Sequence, residues 1–111
     1  MSKYGNVKTV IDGITFDSKR EAKRYQELLL LEKAGQIIDL KRQVKFELTP
    51  KQKNPVTGKS VRESSYIADF VYFDTHHQRI VVEDSKGFST DLFKFKQKLM
   101  LKQFGIWVQT V

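Results

Sequence analysis

The sequence has no cysteine and no long apolar run, and each absence excludes a class of protein. Without cysteine, neither disulfides nor thiolate metal sites can form. No segment approaches the ~18 consecutive apolar residues that a membrane-spanning helix needs. The opening residues also lack the apolar core of a secretion signal. We therefore expect a cytoplasmic protein that has no membrane partner.

Positive charge is what the chain has in excess. Its 111 residues include 20 lysines and arginines against 13 acids, which gives a net charge of +7. One basic patch covers residues 19–24, and a second lies in the tail after Asp91, which contains no acid. Such patches favour polyanions as partners, through phosphate contacts and counterion release, although lysines can also serve solubility alone. With 40% hydrophobic residues, the chain is expected to fold as a single domain over 1–111.

Turn and cap residues predict the structure of the first third of the chain. Asp12-Gly13 lies between apolar residues and favours a tight hairpin turn within residues 1–17. Ser18 followed by Glu21 is typical of a capping box, which predicts a helix over 19–34. In this interpretation the Glu21 carboxylate needs no role beyond the cap.

After the first helix, the apolar spacing changes to the period of strands. Strands are predicted near 44–49, 66–73 and 80–86, with a polar loop over 50–60, a second helix over 90–103 and a last strand over 106–111. The last strand returns through a helix, so it should lie parallel to its neighbour. The middle strands are apolar on both faces and need cover from both sides. We expect an α/β (α+β) core over 18–111, in which a mixed four-stranded sheet has a helix on each face.

The two middle strands are predicted to bring two aspartates together. A hairpin centred between His76 and His77 makes Asp69 face Asp84, and the period of two puts Lys86 on the same face. The opposite face is predicted to carry Ala68, Phe70, Tyr72, Val81 and Glu83. Like charges directly opposed on a sheet are destabilising, so this arrangement needs a cation to stabilise it.

Three interpretations of this acidic pair are open. In the simplest, Lys86 neutralises one aspartate and the site is an internal ion pair. In the second, the two carboxyls share a proton, as in some hydrolases, which the neighbouring Lys86 disfavours. In the third, both carboxylates hold a divalent cation, and hard oxygen ligands suit Mg²⁺ or Mn²⁺.

The motif residues carry a resemblance to a known family. Asp69 followed by Asp84-Ser85-Lys86 resembles the signature of the PD-(D/E)XK nuclease superfamily, and the order α-β-β-β-α-β resembles its restriction-endonuclease-like core. The segments 16–22 and 83–87 look like those of small phage proteins of this fold, a group similar to phage endonuclease I and Holliday-junction resolvases. Ala68 stands where the name of the motif expects proline, a position that varies in the superfamily.

The resemblance implies a phage-encoded, Mg²⁺- or Mn²⁺-dependent endonuclease that hydrolyses DNA in the cytoplasm of a bacterial host. Asp69 and Asp84 would be the main metal ligands, and Glu21 matches the acid that this fold places near the metal on its first helix. Lys86 would position the attacking water or stabilise charge on the phosphate. These four residues form the expected catalytic set.

Other residues are expected to contact the nucleic acid. They are Lys19 and Lys23 on the first helix, Gln43 on the first core strand, and Lys94 and Lys98 one turn apart on the second helix. A resolvase would act as a homodimer, because paired cuts across a junction need two sites. The alternative function is a nucleic-acid-binding protein that has the nuclease fold without catalysis.

Overall fold

The computed structural model describes residues 8–86 and 89–111. In chain order the elements are β1 Thr9–Ile11, β2 Ile14–Phe16, α1 Lys19–Lys33, β3 Ile37–Thr49, β4 Gln52–Lys53, β5 Ser60–Val61, β6 Ser64–Asp74, β7 Arg79–Asp84, α2 Asp91–Phe104 and β8 Gln109–Thr110. The main sheet has the order β3-β6-β7-β8, and only β7 and β8 are parallel. The predicted mixed four-stranded sheet, two helices and N-terminal hairpin are therefore confirmed. In the described ranges no helix is long and apolar enough to cross a membrane.

The turns and caps that the sequence predicts form as expected. Asp12 and Gly13 both have left-handed backbones, with φ of 51° and 77°, as a two-residue hairpin turn requires. The Ser18 hydroxyl accepts a hydrogen bond from the backbone N–H of Glu21 at 3.2 Å and caps α1. Thr90 caps α2 in the same way, and Gly105 ends it with a φ of 68°.

The sheet buries one apolar cluster beneath each helix. The cluster on the α1 side contains Phe16, Ala22, Leu28, Ile37, Phe70, Tyr72 and Val81. The cluster on the α2 side contains Leu48, Tyr66, Ala68, Val82, Phe93, Met100 and Val108. Full burial of a side chain such as Phe70 or Val82 contributes roughly 1.5–3 kcal/mol. Both faces of the middle strands are thus covered, as their composition predicts.

The register between β6 and β7 confirms the hairpin centred between His76 and His77. Val71 pairs with Val82, and Phe73 pairs with Ile80. The ladder ends at Phe70 and Glu83, one pair short of Asp69 and Asp84. Strand β7 ends at Asp84, two residues earlier than predicted, so Lys86 follows the strand instead of belonging to it.

Side chains of β3 and β6 change sides in the middle of the sheet. Residues two apart normally share a face, yet Phe70 packs in the α1 cluster and Ala68 in the α2 cluster. The predicted grouping of Ala68 with Phe70 is therefore wrong. Between these positions, Gln43 on β3 has a left-handed φ of 52°, and the ladder skips the Gln43–Asp69 pair. The side chains on the two sides of this local break therefore pack against different helices.

Candidate active site

One glutamine side chain joins acids from α1 and β6. Gln43 Nε2 donates a hydrogen bond to Glu21 Oε1 at 3.2 Å and to Asp69 Oδ1 at 3.3 Å. Glu21 Oε1 also accepts from the Arg42 guanidinium at 3.5 Å, and Glu21 is only 5% exposed. Oε1 of this glutamate is thus bound to β3 instead of closing the capping box at Ser18.

Asp84 is held by a tyrosine and a lysine. The Tyr66 hydroxyl donates to Asp84 Oδ2 at 2.5 Å, and Lys86 Nζ lies 3.3 Å from Oδ1. The Lys86 ammonium also lies over the Phe93 ring, 4.8 Å from its centroid, where a cation–π attraction adds to the ion pair. Asp84 is 4% exposed. The ion pair of the simplest interpretation is therefore present. Gly87, the last residue of the segment 83–87, lies outside the described residues.

The backbone of the motif connects the two aspartates. The N–H of Ser85 donates to Asp69 Oδ2 at 2.8 Å, which brings the Asp69 carboxylate to the end of β7 beside Asp84. Burial raises the pKa of Asp69 above its ordinary value, and the Asp84 charge raises it further, against the lowering effect of the Ser85 hydrogen bond. The aspartates thus interact unfavourably when both are charged, as their predicted opposition requires.

The charge of Asp69 also acts on Glu21. Burial is the main cause that raises the pKa of Glu21, the Asp69 charge raises it further, and Arg42 opposes both. Glu21, Asp69 and Asp84 therefore form a chain of acids in which each neighbour disfavours the charge of the next. Such a chain attracts cations.

The donor set can be tested against a divalent metal. Within residues 8–86 and 89–111, no three acidic or histidine side chains converge as a complete metal cage. Both oxygens of Asp69 and Oδ2 of Asp84 accept one hydrogen bond each, and Oδ1 of Asp84 faces the Lys86 ammonium, which leaves about one free lone pair per oxygen. Mg²⁺ usually binds through one or two carboxylates and keeps several waters. Two carboxylates with free lone pairs therefore fit a hydrated Mg²⁺ or Mn²⁺.

One orphaned hydroxyl lies beside this donor set. Ser85 Oγ is buried and has no hydrogen-bond partner within the described part of the chain. Buried hydroxyls normally have a partner in the protein or in ordered water. A water at this end of β7, such as those that Mg²⁺ retains, would satisfy it.

A cavity of about 340 Å³ adjoins Asp84 and Lys86. Its other lining residues are Ser65, Tyr66, Ile67, Thr90, Leu92, Phe93 and Lys96. Lys94 and Lys98, which the sequence singles out, are exposed on α2 and do not line it. Lys96 is thus the lysine of α2 that the fold brings to the motif.

The two lysines predicted on α1 lie away from this cavity. Lys23 lines a separate groove of about 460 Å³ with Arg20, Arg24, Glu27 and Val111, and Lys19 is exposed at the start of the helix. The structure therefore divides the expected nucleic-acid contacts among separate surfaces, with Gln43 alone inside the acidic chain.

Glu83 faces away from the motif, as alternation predicts. Its two oxygens accept hydrogen bonds from Arg24 at 2.8 and 2.6 Å, and the Tyr72 hydroxyl donates to it as well. Glu83 is 1% exposed and fully partnered on the α1 side. The adjacent acids Glu83 and Asp84 thus belong to different networks.

Sequence reasoning missed three residues around the acids, namely Arg42, Tyr66 and Lys96. A strict period of two places Tyr66 on the face opposite Asp69, so the change of sides at Gln43 hides its contact with Asp84. Arg42 adjoins Gln43, and its guanidinium covers the Phe16 ring at 4.3 Å. No pattern in the sequence distinguishes Lys96 from the other lysines of α2.

Comparison with models of protein families gives a match over nearly the whole chain. The model of a family described as "Protein of unknown function (DUF1064)" matches residues 1–109. No curated protein matches the chain, and no solved structure matches it.

Proposed function

The chain belongs to the DUF1064 family, whose description gives no function, and we propose from its site that it is a metal-dependent DNA endonuclease of the PD-(D/E)XK type. The observation that carries the proposal is the junction of Asp69 with the Asp84-Ser85-Lys86 segment. There the Ser85 N–H binds one aspartate, and Lys86 binds the other. The mixed sheet between two helices agrees with a restriction-endonuclease-like core.

The energetic cost of the acids supports a functional role. Burial and mutual repulsion raise the pKa values of Glu21 and Asp69, so the charged forms destabilise the folded protein. If Glu21 and Asp69 had only a structural role, replacing one of them with a neutral residue would stabilise the folded protein. A bound cation would make the charged carboxylates stabilising instead of destabilising, because it favours their charged forms.

The roles of the residues follow from their contacts. Asp69 and Asp84 would hold Mg²⁺ or Mn²⁺. The metal would lower the pKa of an attacking water and neutralise charge on the phosphate. Tyr66 orients Asp84 through its hydrogen bond, and Gln43 orients Asp69. Lys86, whose side chain is one-third exposed, can exchange its contact with Asp84 for a phosphate oxygen. Glu21 on α1 would help to position Asp69, because Gln43 donates a hydrogen bond to both acids.

Water is the nucleophile in this proposal. Both histidines lie in the turn between β6 and β7, where His77 Nδ1 contacts Asp74 at 2.8 Å. Within the described part of the chain, no serine or threonine hydroxyl pairs with a histidine. The substrate that best fits the resemblance is branched DNA, and cleavage on both sides of a junction would require a homodimer. A phage-encoded enzyme of this kind would act in the host cytoplasm.

A non-catalytic nucleic-acid-binding protein is the second candidate. The existing ion pair between Lys86 and Asp84, and the lack of a three-acid cage within the described residues, favour it. In this alternative the basic surfaces bind DNA, and the acids remain as a structural remnant.

Cleavage of labelled DNA tests the proposal directly. Linear duplex, four-way branched DNA and a single-stranded RNA of the same sequence are incubated with protein and Mg²⁺, Mn²⁺ or EDTA. We expect metal-dependent cleavage of DNA that Asp69→Asn abolishes. The matched control is Asp39→Asn, at an exposed position with a left-handed φ of 56° that asparagine tolerates. Binding without cleavage under all metal conditions would establish the non-catalytic alternative instead.

A further inference from the structure

Strands β3 and β6 continue into an arm outside the main sheet. Residues 50–63, which the sequence predicts as mostly polar loop, contain β4 and β5, paired through Gln52 with Val61 and Lys53 with Ser60. Neither of the two apolar clusters includes residues of this segment. The extents of the molecule are 54 × 40 × 24 Å. We call residues 50–63 the arm.

The end of the arm is a built turn. Asn54 Oδ1 accepts hydrogen bonds from the backbone N–H groups of Val56 at 2.9 Å and Thr57 at 3.3 Å. The Asn54 N–H donates to Lys59 O at 2.8 Å, and the Gly58 N–H donates to Asn54 O at 2.8 Å. Gly58 has a φ of 73°, which a residue with a side chain adopts at a cost. The turn therefore holds Val56 in a fixed place, 90% exposed beside Pro55.

Positive charge surrounds this apolar tip. The exposed cations of the arm are Lys51, Lys53, Lys59 and Arg62, against the single acid Glu63. Within the described ranges none of these four cations forms an ion pair. An exposed apolar tip on a charged hairpin buries no surface in the fold, whereas duplex DNA offers phosphates to the cations and apolar base faces to the tip.

We propose that the arm binds duplex DNA, with its cations on the phosphates and Pro55–Val56 in the groove. Two-stranded ribbons fit DNA grooves, and apolar residues at protein tips, proline included, wedge between base steps and bend the duplex. The proposal deepens the proposed function, because it makes the substrate double-stranded near the site. It rests on nucleic acid being the ligand and not on cleavage.

The arm lies between β3 and β6, the strands that carry Gln43 and Asp69, which limits its distance from the site. Lys53 follows Gln43 by ten positions along β3 and β4, and at ~3.3 Å per residue the two are at most ~33 Å apart. One turn of B-DNA is ~34 Å long. The arm therefore reaches phosphates up to about one helical turn from the phosphodiester bond that would be cleaved at Asp69 and Asp84.

Metal-free binding tests the arm separately from catalysis. The affinity of the full chain for a fluorescent duplex of about 24 bp, roughly two turns, is measured in EDTA at several salt concentrations. The double variant Lys53→Gln/Lys59→Gln should bind more weakly and reduce the slope of log affinity against log salt by about 2, or ~0.9 per lost phosphate contact. The control Lys33→Gln/Lys41→Gln removes the same charge from exposed sites away from the arm and should change the slope by less than half as much.

Bending of the duplex tests the tip. Energy transfer between dyes at the two DNA ends should rise when wild-type protein binds, and Val56→Ser should reduce that rise without changing the salt slope. All substituted side chains are exposed, so unchanged thermal melts confirm folding. Equal slopes for the arm and control variants, or bending unaffected by Val56→Ser, would overturn the inference. If the arm effects appear while Mg²⁺ and Mn²⁺ give no cleavage, the arm stands and the proposed nuclease falls.

Discussion

Lys86 Nζ lies 3.3 Å from Asp84 Oδ1, so the two charged residues of the Asp84-Ser85-Lys86 segment are ion-paired. The contact has a different meaning in each interpretation of the site. If the pair is structural, Lys86 serves only to neutralise Asp84, and no other cation should take its place. In a nuclease, Asp84 would bind a metal and Lys86 a phosphate, so the contact between them would exist only in the absence of metal and substrate. Substitution of the acid separates these two cases.

Asp84→Asn should abolish cleavage with little loss of stability. Asparagine keeps the size of the side chain and an acceptor for Tyr66, and Lys86 is exposed enough to be hydrated. We expect the free energy of unfolding without metal to change by less than about 2 kcal/mol. Thermal melts with and without Mg²⁺ measure this, and wild-type protein should gain stability from Mg²⁺ while the variant does not.

The neighbouring acid provides the matched control. Glu83→Gln breaks a buried pair with Arg24, so we expect a loss of about 3–5 kcal/mol together with a retained Mg²⁺ response. A loss of that size in Asp84→Asn, with wild-type melts that ignore Mg²⁺, would instead identify Lys86–Asp84 as a structural ion pair.

Tyr66→Phe should weaken metal binding and cleavage while the protein stays folded. The lost hydroxyl donates to Asp84, and removal of such outer partners typically reduces metal affinity or activity about 10–100-fold. Titration of the melting temperature with Mg²⁺ gives the affinity. Tyr72→Phe makes the same change at Glu83 on the other face and should lower stability only. Equal metal affinities in the two variants would remove Tyr66 from the site.

Lys96→Gln should raise KM for DNA more than Lys98→Gln does. Lys96 lines the cavity beside Asp84, whereas Lys98 lies exposed on the same helix, so the two changes remove equal charge from different surroundings. Initial cleavage rates over a range of DNA concentrations, compared at one salt concentration, measure the difference. The cavity has no part in substrate binding if both variants behave alike.

The acidic chain should make the metal-free protein less stable as pH rises. The folded pKa values of Glu21 and Asp69 are raised, so the folded state holds their protons more tightly than the unfolded state does. Their stabilising effect is complete below the unfolded pKa values and is lost as pH rises through the folded ones. Melts of wild-type protein and Asp69→Asn in EDTA should therefore diverge with pH, and the variant should be the more stable at neutral pH.

Carboxyl NMR titration checks the cause. Asp74, which accepts hydrogen bonds from the backbone and ring of His77, has a pKa lowered to about 2 and serves as an internal reference of opposite sign. Ordinary titration of both Glu21 and Asp69 would contradict the proposed repulsion.

Much of the fold was predictable because local chemistry determines it. Asp12-Gly13 requires a left-handed turn that few other residues form, and Ser18 offers the hydroxyl that the start of α1 needs. The register of β6 with β7 followed from the alternation of apolar residues around a short turn at His76. Each of these signals lies within a few residues of the structure it determines.

The contacts that complete the site were not predictable, because they depend on a break in that alternation. The left-handed backbone of Gln43 carries no sequence signature, since glycine, asparagine and aspartate are the residues expected there. Without that break, Tyr66 lies on the wrong face to meet Asp84. The pairing of β4 with β5 was missed for a different reason: each is two residues long, too short for a periodic pattern.

The backbone of Gln43 also bears on how the site meets its ligand. A left-handed conformation costs a residue with a side chain roughly 1–2 kcal/mol, and the strands on either side maintain it. The amide between Glu21 and Asp69 is therefore fixed when the chain folds and needs no conformational search when a cation or DNA arrives. The conformational entropy cost of ordering these side chains is thus met during folding and not during binding, so the ligand binds to a preorganised set of oxygens.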